Sequence, residues 1–160
     1  MYGTTGRLEK GYRAFGAELD ASYNLVEAGM TRPSVKDQPF LGKEAYLEQR
    51  SAPPCAVLCT LTVDDHRSGS GQLRYMMGGE PILTQAGEPL ADAKGRPSYV
   101  TSAGSGPSLG KHLLMAYLPP EQAVAGTRLT VEYMGEPYPV TVAVAGATPL
   151  FDPENERVRS

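Results

Sequence analysis

Two cysteines and two histidines, Cys55, Cys59, His66 and His112, are the chain's candidates for metal binding or nucleophilic chemistry. Their spacing limits what they can do. Apolar residues alternate with period two from Cys55 through Val57, Cys59, Leu61 and Val63, with Leu58, Thr60 and Thr62 on the other face, which predicts a strand. The two thiols then share one face roughly 13 Å apart. A disulfide needs Cα atoms within about 7 Å, so a bridge within this strand is excluded. A zinc site needs further cysteine or histidine close by, and only His66, in a polar loop, and His112, in an apolar run, exist. The thiols are read as small apolar packing groups, and no metal is assigned. Neither histidine accompanies a recognisable serine or cysteine nucleophile motif, so no catalytic residue is assigned. Gly104-Ser105-Gly106-Pro107-Ser108-Leu109-Gly110 has the composition of a phosphate loop. It precedes an expected strand rather than a helix, however, and lacks the Lys-Ser/Thr ending that grips phosphate and magnesium. It is read as a flexible turn between strands.

The remaining candidate is Glu9. Taken on its neighbours alone, it is an i, i+4 partner for Arg13, worth a few tenths of a kcal/mol on an exposed helix. The element that would carry it is an amphipathic helix over residues 7–19, because Leu8, Tyr12, Phe15 and Leu19 recur at the offsets of one helical face. Tyr12 is read as a packing residue. Only six residues precede that helix, too few to cover its apolar stripe, and the chain reads as the end of something longer. A second helix fits residues 42–50, with Phe40, Ala45 and Leu47 available to pack. Ser51-Ala52-Pro53-Pro54 ends it and marks a boundary, so the chain divides into residues 1–52 and 53–160.

Beyond the boundary, glycine and proline punctuate short apolar runs. Strands are predicted at 55–63, 73–77, 81–84, 99–102 and 111–118. A further pair at 128–134 and 138–145 flanks the turn residues Gly135-Glu136-Pro137. Residues 85–97 carry no periodicity and read as an exposed excursion. Six or seven short antiparallel strands predict a small, Greek-key-like closed barrel, because closure removes exposed edges. The fold class is mostly β with short N-terminal helices.

Charge and hydropathy exclude several roles. A net charge of −3 and a pI near 5.4 argue against a broad nucleic-acid footprint. No apolar run approaches the roughly 18 residues of a membrane helix. The first six residues lack the basic-then-apolar layout of a secretion signal, which makes the cytoplasm the expected location.

Arg7-Leu8-Glu9-Lys10-Gly11-Tyr12-Arg13-Ala14-Phe15-Gly16, Glu27-Ala28-Gly29 and Phe40-Leu41-Gly42-Lys43-Glu44-Ala45 resemble the second half of the folate-binding aminomethyltransferase family. That family includes the glycine cleavage T-protein and the C-terminal halves of dimethylglycine and sarcosine dehydrogenases. Gly79-Glu80-Pro81-Ile82, Tyr99-Val100-Thr101-Ser102, Leu109-Gly110-Lys111, Ala116-Tyr117-Leu118-Pro119 and the closing 150–159 segment resemble its C-terminal barrel. The Glu-Lys-Gly-Tyr-Arg wording leans toward the flavin-linked dehydrogenases. The resemblance implies that residues 1–52 are the helical end of a folate-binding domain and that tetrahydrofolate is the cofactor. It implies further that Glu9 holds the pterin ring, its two oxygens matching the ring N–H and exocyclic amine. Arg32 or Lys36 is implied to face the folate's glutamate tail, although the 31–35 segment departs from the family's pattern. The family's catalytic aspartate and any FAD domain lie upstream of the region resembled. An upstream domain or another subunit is therefore the implied partner, and the isolated chain is expected to be inactive.

Overall fold

The strand Lys111–Leu118 organises the structure, and seven of its eight residues are buried. A short run of this kind, apolar at nearly every position, is covered on both faces. Leu114, Ala116 and Leu118 point into the larger of two hydrophobic clusters, while Leu113, Met115 and Tyr117 belong to the smaller one. A computed structural model of the chain describes residues 2–146 and 148–159. Its elements are α1 (Tyr2–Glu9), α2 (Lys43–Ser51), β1 (Val57–Val63), β2 (Ile82–Leu83), β3 (Val100–Gly106), β4 (Lys111–Leu118), β5 (Arg128–Tyr133), β6 (Glu136–Ala145) and α3 (Glu156–Arg159).

The six strands form one antiparallel sheet in the order β2-β5-β6-β1-β4-β3. Two hairpins, β3–β4 and β5–β6, flank β1, which pairs Val57–Thr62 against Leu118–Leu113 on one side and Cys59–Val63 against Ala145–Val140 on the other. The edges of the sheet meet. Pro81 bridges Tyr99, the Ile82 N–H donates to Ser98 O at 3.0 Å, and the Val100 N–H donates to Glu80 O at 2.8 Å. The sheet thus curls into a small barrel, and its two edges satisfy one another. β1 obeys its alternation: Cys59, Leu61 and Val63 face the barrel interior and Leu58 faces outward into the smaller cluster. Cys55 precedes the strand and is half-buried.

Several expectations need correction. The first helix stops at Glu9 rather than running to residue 19. Gly11 adopts φ 65°, the Tyr12 N–H donates to Arg7 O at 2.8 Å and the Gly11 N–H donates to Leu8 O at 3.1 Å. These paired bonds around a left-handed glycine close a helix C-terminus. Of the expected stripe only Leu8 is fully buried; Tyr12 and Phe15 are 62% and 94% exposed, so Tyr12 does not pack as expected. The second helix forms, but it has no buried residue, and Phe40 and Leu47 remain nearly half exposed. Ala52, extended before Pro53, ends it. Residues 73–77 make a single bridge, Leu73 to Arg67, instead of a strand, because left-handed Gly71, Gly78 and Gly79 turn the backbone on either side. The β5–β6 turn is Met134-Gly135, with both residues at positive φ as a two-residue hairpin turn of this twist requires, one step earlier than expected. Residues 85–97 are not a bare excursion: Leu83 bridges Pro89, Ala91 bridges Pro97, and Leu90 and Asp92 are buried.

Candidate functional site

The N-terminal segment lies across the outer face of β3 and β4. Leu8 presses onto Gly104, where an added Cβ would stand 2.8 Å from Leu8 Cδ1. Gly104 is therefore not part of a flexible turn. It lies in β3 and allows the helix close approach. The turn proper is 107–110, and it reaches back to Glu9.

Glu9, the last residue of α1, is 5% exposed. The Ser108 N–H donates to Glu9 Oε1 at 2.7 Å and the Ser108 hydroxyl donates to Oε2 at 3.0 Å. These bonds use two of the carboxylate's four lone-pair positions. No Glu9–Arg13 ion pair forms among the described residues. The helix has ended before Arg13, whose guanidinium donates instead to the carbonyls of Ala28, Gly11 and Gly146. Burial holds the Arg13 guanidinium below its ordinary pKa. Lys10 ties the C-terminal segment to the same helix end through Asp152 and Asn155.

Beside Glu9, Arg7 donates to Glu18 Oε2 at 3.1 Å and to Ser102 Oγ at 2.8 Å. Glu18 is completely buried and also accepts from the Ala14 N–H and the Thr101 hydroxyl. A second buried acid, Glu27, meets Arg96 at 2.5 Å, and Arg96 also binds Asp92 at 2.6 Å. The Arg96 guanidinium lies 4.2 Å over the Tyr23 ring, which stacks on Tyr117 at 3.6 Å. Burial pushes the Glu27 carboxyl up, but Arg96 and the Asn24 N–H outweigh it, and the net shift is downward. Asp92 follows the same logic: burial raises it, and the 94–96 backbone with the Arg96 side chain lowers it further. Glu18, Glu27 and Arg96 were not singled out from the sequence. A partial signal existed in Glu27-Ala28-Gly29, where Gly29 at φ 65° repeats the helix-ending turn of Gly11.

Arg32 is exposed and lines a groove of about 730 Å³ together with Lys36, Met30, Phe40, Leu41 and Tyr46. Its backbone N–H donates to the Tyr46 hydroxyl at 3.2 Å. The two cations named from the sequence therefore share one site, with apolar walls. Glu9 does not line it. Leu25 connects it to a second groove of about 850 Å³ that includes Phe15, Leu19 and Tyr23. Cys59 is sealed in the barrel core, and burial pushes its thiol up to about 12. No helix among the described residues is long and apolar enough to cross a membrane.

Comparison with known proteins agrees with this architecture. An aminomethyltransferase of Streptomyces coelicolor is 34% identical over 144 residues, covering 85% of this chain and 35% of the relative. The mitochondrial dimethylglycine dehydrogenase of Rattus norvegicus is 30% identical over 142 residues, again 85% of this chain but 14% of the relative. The chain thus spans about a third or less of the curated relatives it matches. The crystal structure of the glycine cleavage system aminomethyltransferase T from Bartonella henselae shares the fold, with a TM-score of 0.75 and 22% identity across 94% of this chain and 38% of that one. The family model for the glycine cleavage T-protein C-terminal barrel domain matches residues 58–152, from the outward-facing Leu58 of β1 to the Asp152 that binds Lys10. By sequence and by fold, the chain belongs to the glycine cleavage T-protein C-terminal barrel family.

Proposed function

We propose that the chain is the C-terminal portion of a tetrahydrofolate-dependent aminomethyltransferase, or of a dimethylglycine or sarcosine dehydrogenase-like enzyme, and contributes to folate binding in one-carbon transfer. The supporting observation is that similarity runs past the barrel: the aligned 144 residues exceed the 58–152 span of the barrel model. In this reading residues 1–52 close a folate-binding domain, residues 53–160 are the barrel domain, and an upstream domain or another subunit completes the site. Arg32 or Lys36 faces the folate's glutamate tail, and their groove suits an anionic group on an aromatic linker because two cations stand beside apolar walls. Glu9 orients the pterin. Its carboxylate has the right acceptors, and a pterin engages it either by displacing Ser108 or through the two lone-pair positions that Ser108 leaves. The dehydrogenase branch of the proposal adds FAD in an upstream domain, which the visible absorbance of the complete protein tests. The proposal includes a cytoplasmic location and no nucleic-acid or membrane partner.

The deciding experiment is tetrahydrofolate titration of the complete protein. Saturable binding weakened by Glu9→Gln supports the proposal; no binding with the upstream region present refutes it. A second reading, a non-catalytic packing or subunit-interaction module, is favoured by the Glu9–Ser108 bonds, which give each carboxylate oxygen one donor within the chain. It predicts that Glu9→Gln lowers stability and leaves folate affinity unchanged.

A further inference from the structure

The chain's two histidines, 46 positions apart, come together where β1 ends and β4 begins. His112 shares its strand face with Leu114 and Ala116 of the barrel interior, and it is 6% exposed. His66 follows β1 and is half-buried. Their ring centroids are 5.5 Å apart, with the planes at 71°, and the exposed Tyr75 ring lies 4.9 Å from His66 and 5.4 Å from His112.

Backbone carbonyls fix both tautomers. A carbonyl can only accept, so His66 donates from Nδ1 to Arg74 O at 3.1 Å and His112 donates from Nε2 to Met76 O at 3.0 Å. The lone pairs left over are those of His66 Nε2 and His112 Nδ1. The latter is buried and has no hydrogen-bond partner among the described residues. A buried nitrogen without a partner is costly and calls for an explanation. Imidazoles that bind metals commonly donate their other N–H to a backbone carbonyl, the arrangement present at both rings. Two imidazoles on one tetrahedral ion, each with a metal–nitrogen bond of about 2.0–2.1 Å, hold their ring centres roughly 5 Å apart, close to the spacing here. Glu80 is committed elsewhere, accepting from the Met77 and Gly78 N–H groups.

We propose that His66 Nε2 and His112 Nδ1 form a two-histidine site for a late first-row divalent cation, zinc foremost, with water filling the remaining positions. Imidazole ligands suit zinc and copper, and half-buried His66 with half-exposed Tyr75 places the pair next to solvent. The site is independent of the folate reading.

The test uses the untagged, metal-free chain titrated with zinc and, as a spectroscopic probe, copper(II). One equivalent of zinc is expected to shift the 15N resonances of His66 Nε2 and His112 Nδ1, with the opposite ring nitrogens moving far less. The copper spectrum is expected to show coupling to two nitrogens. His66→Gln is expected to weaken zinc at least tenfold without changing the fold of the metal-free protein. Should His112→Gln fail to fold, the nitrogen shifts still report on that ring in the unaltered chain. Shifts at the opposite nitrogens, no saturable equivalent, or unchanged affinity in His66→Gln overturns the proposal; in the second case the His112 nitrogen is better explained by a buried water.

Discussion

Replacing Arg96 by Met tests how the N-terminal segment is held to the barrel. The substitution keeps much of the hydrocarbon stem and removes a guanidinium that binds Glu27 at 2.5 Å, Asp92 at 2.6 Å and the Ser22 carbonyl, and that covers Tyr23. Asp92 tolerates the loss, since the Lys94 and Arg96 backbone N–H groups still donate to it. Glu27 does not. It is 1% exposed, and its remaining donor is the Asn24 N–H at 3.0 Å. Stranding one partner of a buried ion pair costs about 3–5 kcal/mol, and the lost cation–π contact adds about 0.5–1 kcal/mol. For a chain of this size a loss of 3 kcal/mol lowers Tm by roughly 6–12 °C. Urea and thermal denaturation measure it. The pair Arg96→Met and Glu27→Gln should be strongly non-additive, because the second change removes the stranded charge. A loss below about 1 kcal/mol for Arg96→Met, or simple additivity of the two, would refute the reasoning.

Further outcomes follow from other contacts. Glu27 and Asp92 both titrate below their ordinary values, so their stabilisation is complete above the unfolded pKa values of about 4.3 and 3.9 and is lost as pH falls through the lower folded values. Denaturation between pH 6 and pH 2.5 should show that loss in the native chain, and Arg96→Met should flatten it. Gly104→Ala should cost about 1–3 kcal/mol, since its Cβ meets the fully buried Leu8, and hydrogen exchange should accelerate across α1; Leu8→Ala in the same chain should relieve part of the clash. Thiol alkylation at pH 8 should label half-buried Cys55 and spare Cys59, whose thiol is pushed up to about 12, until the barrel unfolds.

Much of the barrel was legible from local pattern. β4 is expected at its observed bounds because the six-residue apolar run Leu113–Leu118 is short enough for a strand covered on both faces, and the β5–β6 hairpin is expected because two alternating runs flank a glycine turn. The first helix was overextended because a 3.6-residue period was followed through Gly11, whose left-handed φ ends it, and Gly16 breaks the pattern again at φ 82°. The 73–77 segment has a strand's composition, but its one bridge among the described residues is Leu73 to Arg67, between left-handed glycines on either side. The site was less legible. Arg32 and Lys36 are near neighbours and were found together, whereas Glu27 and Arg96 are 69 residues apart and Glu9 and Ser108 are 99 apart. No local period reports a contact that only docking of the N-terminal segment onto the barrel creates.

The most direct test of the account is tetrahydrofolate affinity of the complete protein, measured for native, Glu9→Gln and Ser108→Ala forms. Losing the charged acceptor costs about 1.5–3 kcal/mol, so Glu9→Gln should weaken binding roughly tenfold or more, while Ser108→Ala, which removes a competing donor, should bind at least as tightly as the native protein. Equal affinity in the native and Glu9→Gln proteins, with stability reduced in both variants, would contradict the account and leave Glu9 as a clasp between α1 and the β3–β4 turn.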